Sequence, residues 1–132
     1  TDTATVGQTF AARYPNLDRI EVMLSASGTL SSPVTLHLRG SPRESKDLIN
    51  STVIVQPGQD QSRYTFPFPP ITNSAGQSYY FFLELPAMPP GEITVWGTQS
   101  DTYGDGTSFS NHQPASGDLY FIAFSSLGGT SK

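Results

Sequence analysis

The sequence predicts an all-β fold: an antiparallel β-sandwich of jelly-roll-like plan, with about eight or nine strands. Three observations predict it. Only 14% of the 132 residues are charged while the chain carries 12 Gly and 11 Pro, a balance that starves a helical bundle and suits short strands joined by turns. Apolar residues recur with period two, and no amphipathic helix longer than one turn can be drawn. Turn chemistry returns roughly every ten residues, the spacing of a sandwich or barrel. Alternation alone leaves two packed sheets and one flattened barrel both open.

The elements follow in order. A first strand lies around Gln8-Thr9-Phe10-Ala11. From Leu17, Ile20, Val22 and Leu24 fall on one side, with Glu21 and Met23 on the other, which is strand alternation. A Ser- and Gly-rich turn from Ser25 to Pro33 leads to Val34, Leu36 and Leu38, alternating against Thr35, His37 and Arg39. Gly40 to Asp47 concentrates charge and reads as a solvated loop. Two more strands cover Ser51 to Gln56, with Val53 and Val55 facing alike, and Arg63 to Phe68, with Tyr64, Phe66 and Phe68 facing alike. Pro67, Pro69 and Pro70 cannot donate to a ladder, so this strand belongs at a sheet edge or bend. Asn73 to Gln77 is a turn. Ser78 to Leu85 is aromatic on both faces and therefore central, with Tyr80 and Phe82 expected in the core of the second layer. After the breaker Pro86 to Gly91, Ile93 and Val95 alternate against Thr94 and Trp96, and Asp118 to Phe124 closes the fold. Phe66, Phe81 and Phe121 are the expected core anchors.

Composition also excludes function classes. Seven Lys and Arg against 11 Asp and Glu give a formal charge of −4, which is not the electrostatic footprint of a nucleic-acid or anionic-lipid binder. No apolar run approaches the roughly 20 residues of a membrane helix, so this segment is not expected to insert. Cys is absent, which removes disulfides, thiol catalysis and zinc–thiolate sites. Phosphate-cradling Gly loops, the G-x-S-x-G elbow and the H-E-x-x-H pair are missing as well. His37 reads as a half-exposed sheet histidine, and Glu21, Glu84 and Glu92 sit in or beside strands where a glycosidase pair would arise only by accident of convergence. No catalytic residue is assigned, and the chain is expected not to be an enzyme.

The segment after Trp96 holds the candidate site. Asp101-Thr102-Tyr103-Gly104-Asp105-Gly106 opens like a calcium loop, but its third position is Tyr103, not Asp or Asn, and its twelfth is His112, where the EF-hand needs a bidentate Glu. Asp101 and Asp105 remain candidate ligands for a structural calcium ion, with an Asp/Gly turn capping its own amides as the alternative. Trp96, Tyr103, Asn111, His112 and Gln113 supply flat rings and amide groups, the residue types that cover the C–H face of a sugar and bond its hydroxyls. Trp96 points opposite to Ile93 and Val95, hence away from the core if those point inward. A packed structural role for this single Trp is the competing reading.

Gly7-Gln8-Thr9-Phe10-Ala11-Ala12, Asn16 to Ile20, Thr65-Phe66-Pro67-Phe68-Pro69-Pro70-Ile71, Ser74 to Phe81, Tyr103 to Gly106 and Gly117 to Phe121 together resemble a bacterial extracytoplasmic β-sandwich domain. Such domains are appended to large membrane-embedded glycosyltransferase-like or polysaccharide-biosynthesis proteins and are similar in plan to carbohydrate-binding modules. The resemblance covers nearly the whole chain. It implies a non-catalytic accessory role outside the cytoplasmic membrane, periplasmic or at the cell surface, on a membrane-anchored or secreted parent. Its expected partners are a carbohydrate and the other domains of that polypeptide. A single domain over 1–126 with a C-terminal linker over 127–132 is expected, and both ends read as joints to a longer chain. The leading function is binding of a glycan or lipid-linked sugar; the alternative is a structural or protein-interaction sandwich without a small ligand.

Overall fold

Burial alternates with period two through the long strands, and this alternation builds two layers. The structure, a computed structural model, describes residues 5–26, 31–56, 62–85, 93–97, 106–111, 113–115, 117–125 and 129–131. Its strands are β1 (Thr5–Ala11), β2 (Leu17–Ala26), β3 (Ser32–Arg39), β4 (Ile49–Val55), β5 (Ser62–Ile71), β6 (Ser78–Glu84), β7 (Ile93–Val95), β8 (Ser108–Ser110), β9 (Gln113–Ala115), β10 (Phe121–Ser125) and β11 (Gly129–Ser131). A six-stranded sheet runs β4-β3-β6-β1-β8-β9, and a five-stranded one runs β11-β10-β2-β5 with β7 also on β2. Every pairing is antiparallel. The chain passes repeatedly from one sheet to the other, so the fold is the sandwich, jelly-roll-like in its alternation.

The two inner faces meet on the side chains that the periodicity selected. Ile20, Leu24, Val34, Leu36, Leu38, Phe66, Phe81, Leu83 and Ala123 have no exposed surface. Phe10, Phe81 and Phe121 lie in mutual tilted contact, with ring centroids 5.5–6.0 Å apart, and these contacts join β1 and β6 of one sheet to β10 of the other. β6 is central, between β3 and β1, and β5 is an edge strand. The proline cluster acts as expected: Arg19 pairs with Pro67 but Leu17 with Ile71, so Pro69 and Pro70 occupy a bulge on the edge.

Three short strands, β8, β9 and β11, go beyond the sequence reading, because three residues carry too little periodicity to register. Gly129–Ser131, expected within the linker, pairs with β10. The closing strand starts at Phe121, and Leu119 makes an isolated bridge to Gly97. A buried Gln8 holds this crossing: its amide donates to Asp118 Oδ1 at 2.9 Å and its carbonyl oxygen accepts from Leu119 N at 3.0 Å.

Tyr80 and Phe82 differ from expectation in an instructive way. They face away from the inter-sheet core and yet are 0% and 5% exposed. His37 stacks on Phe82 at 4.6 Å, Arg39 lies 4.7 Å over the same ring, and Phe109 packs edge-on against Tyr80 at 5.1 Å. The six-stranded sheet therefore carries a second aromatic cluster on its outer face.

Candidate functional site

The outer face of the five-stranded sheet is built from the polar half of each alternating strand. Glu21 and Met23 project from β2, Arg63 and Thr65 from β5, and Ile122 from β10, because their neighbours Ile20, Val22, Phe66 and Phe121 are committed to the core. The register sets Ile122, Glu21 and Thr65 abreast on one rung, with Met23 and Arg63 on the next. A groove of about 250 Å³ runs over these rungs, lined by Glu21, Met23, Arg63, Tyr120 and Ile122 with Val22 and Phe121 in its floor.

Trp96 stands on the same outer face, beyond the residues that line the groove. β10 and β7 both pair with the same edge of β2, end to end, and Trp96 follows β7 at the junction. Its backbone N–H donates to Met23 O and its carbonyl accepts from Tyr120 N, each at 3.1 Å. Val95 pairs with the inward Leu24, so Trp96 falls on the outward side, and its indole N–H donates to Ser25 Oγ at 3.0 Å. The ring is half-buried and fixed in orientation, while the neighbouring Tyr120 is 40% exposed.

Polar groups share the groove with Tyr120. The Glu21 carboxylate accepts from the Thr65 hydroxyl at 3.5 Å and sits 3.7 Å from the Arg63 guanidinium, whose side chain is 71% exposed. Such a pair is weak in water, which leaves both groups available to an incoming hydroxyl. The groove thus joins one exposed ring, Tyr120, with two apolar side chains and a carboxylate–guanidinium pair, and Trp96 lies on the same outer face outside its lining.

Of the other expected site residues, Asn111 and Gln113 do not join Trp96. Asn111 and Gln113 belong to the β8–β9 hairpin at the edge of the six-stranded sheet. Asn111 takes a left-handed backbone (φ 50°), its Oδ1 accepts from Thr5 N at 3.0 Å, and its N–H donates to Thr5 O at 2.8 Å, so it fastens the hairpin turn to β1. Gln113 is exposed. Tyr103, His112, Asp101 and Asp105 lie outside the described residues, as does Glu92. Among the described residues no three His, Asp or Glu side chains converge to hold a metal ion. Glu21 and Glu84 stand on the outer faces of different sheets and form no carboxylate pair.

No protein-family model, curated protein or solved structure matches the chain.

A second cluster sits on the opposite outer face. His37 Nδ1 meets Asp47 Oδ2 at 2.5 Å and its Nε2 meets Glu84 Oε1 at 2.8 Å, while Arg39 Nε donates to Asp47 Oδ1 at 2.8 Å. Burial is the largest single influence on Asp47 and pushes its pKa up, but the hydrogen bonds and charges of His37 and Arg39 together outweigh it and hold the carboxyl below its ordinary value. Both imidazole nitrogens are engaged, so the ring offers no free nitrogen to a substrate. The cluster fastens the 40–48 loop to β3 and β6.

Sequence reasoning found Trp96 and its outward direction but missed Tyr120, Met23, Glu21 and Arg63. The signal was present: Tyr120 and Ile122 alternate against Phe121, and Glu21 and Met23 against Val22. Strand order, which places these outward residues side by side, is absent from local periodicity.

Proposed function

We propose that the outer face of the five-stranded sheet binds a glycan, with Trp96 and Tyr120 as stacking platforms and Glu21 and Arg63 bonding hydroxyls, and that the domain serves as a non-catalytic accessory to a larger extracytoplasmic protein. The observation that carries this reading is the groove itself, in which an exposed Tyr120 borders the Glu21–Arg63 pair, with an oriented Trp96 on the same outer face. Sugars present apolar C–H patches and a rim of hydroxyls, and such a surface matches both. The resemblance to sandwich domains of membrane glycosyltransferase-like proteins supports the same assignment and extends the ligand class to lipid-linked sugars.

A glycan array followed by calorimetry tests the reading, run with calcium and again with chelator. Saturable binding is expected, weakened about tenfold or more by Tyr120→Ala and lost in Trp96→Ala with the fold retained. Chelator sensitivity would assign Asp101 and Asp105 to a calcium ion. Binding that ignores Tyr120→Ala, or a folded domain silent toward every glycan, transfers the function to the structural or protein-interaction class.

A further inference from the structure

A sandwich has four open sheet edges, and each one is a template for another strand unless something blunts it. Among the described residues every edge but one is blunted, that of the three-residue β7 included. β9 and β11 are three residues long, β9 also contains Pro114, and β5 carries Pro67, Pro69 and Pro70. β4 is the exception. Its seven residues, Ile49-Asn50-Ser51-Thr52-Val53-Ile54-Val55, include no charge, no proline and no glycine, and among the described residues β3 is its one strand partner.

This edge also exposes apolar surface. Leu48, just before the strand, is 52% exposed, and Ile54 near its end is 50% exposed. By alternation they share one face with the exposed Asn50 and Thr52, while Ile49 and Val53 lean on the core. The spacing is self-complementary. If two copies of β4 pair antiparallel about a twofold axis at Ser51, Ile54 of each copy meets Leu48 of the other, Val53 meets Ile49, and Thr52 meets Asn50. Shifting the axis to Thr52 would set Ile54 against Asn50 and Leu48 against Gln56, so both exposed apolar side chains would meet polar ones. No charged residue lies between Leu48 and Gln56 to oppose the approach of a like strand.

We propose that the chain forms a twofold dimer through antiparallel pairing of β4 with β4 of a second copy, in the register centred on Ser51. The pairing doubles the six-stranded sheet, satisfies the outward backbone groups of both edges, and covers Leu48 and Ile54. It leaves the groove on the other sheet open, so the dimer presents two such grooves.

Sedimentation velocity of the 132-residue chain over a range of concentrations tests this. A reversible dimer is expected, and Ile54→Lys should raise its dissociation constant about tenfold or more while circular dichroism stays unchanged. Leu48→Lys serves as a second variant should the first perturb folding. Because the chain has no Cys, Ser51→Cys should yield a disulfide-linked dimer on mild oxidation, whereas Thr72→Cys, in a turn away from β4, should not. A monomer at all concentrations, a dimer indifferent to both lysine variants, or equal cross-linking from the two cysteine variants overturns the proposal.

Discussion

Gly7 shows how one residue can determine what a sheet face carries. A Cβ there would lie 2.5 Å from Phe81 O, 2.8 Å from Phe82 Cβ and 2.9 Å from Tyr80 Cε1, so the bare backbone of β1 is what lets the Tyr80 ring pack over the strand. Desolvation there pushes the Tyr80 pKa up to about 12, with the Arg39 charge pulling it back. Gly7→Ala should therefore cost about 1–3 kcal/mol, the usual range for overpacking a filled site, and should alter the near-ultraviolet circular dichroism from Tyr80. Denaturant midpoints measure the first effect. An unchanged midpoint with an unchanged aromatic signal would mean that Tyr80 does not pack against β1. This role was not legible beforehand: a glycine inside a strand pattern signals close approach of something, but what approaches depends on the β1–β6 pairing.

At the scale of elements, the strands were legible and their partners were not. Alternation located β1 through β7 and β10, and the prolines marked β5 as an edge, because side-chain period and the missing proline donor are local properties. Tyr80 and Phe82 went to the wrong layer because aromatic residues on both faces signal burial without saying what buries them. The answer lies in the 40–48 loop, whose Asp47 reaches back to His37 and Arg39 on β3. That clasp makes a pH prediction. Asp47 sits below its ordinary value of 3.8 in the folded chain. Its contribution to stability is therefore complete above that value and is lost as pH falls through the lower folded one. Asp47→Asn should cost about 1.5 kcal/mol near neutrality, the lower end for a hydrogen bond to a charged group, and should flatten the loss of stability on acidification below pH 4. Thermal melts of both proteins between pH 3 and pH 7 provide the measurement, and parallel curves would exclude the clasp as a source of acid sensitivity.

Over the whole molecule, two sheets become one cooperative unit only through the side chains that bridge them. Phe66, Phe81 and Phe121 were assigned to the core from alternation, and all three are buried there, at 0%, 0% and 2% exposure. The groove was less legible, since it depends on β2, β5 and β10 lying side by side. Phe81 is the most informative of the three: it stands on the central strand of the six-stranded sheet and touches Phe121 of the opposite sheet at 5.5 Å and Phe10 of its neighbour at 6.0 Å. Removing it opens a cavity walled by both sheets, neither of which can collapse into the gap without losing register. Phe81→Ala should thus cost about 3–5 kcal/mol, a large part of the roughly 5–15 kcal/mol that holds a domain folded, and should lower the melting temperature by about 10–20 °C. Because the groove floor includes Phe121, which leans on the same ring, the variant should also weaken any ligand of the outer face while leaving the β4 edge competent to pair. A melting temperature within a few degrees of the wild type would mean that the layers are joined elsewhere, through Leu24, Leu36 and Phe66, and that the aromatic trio fills space without coupling the sheets.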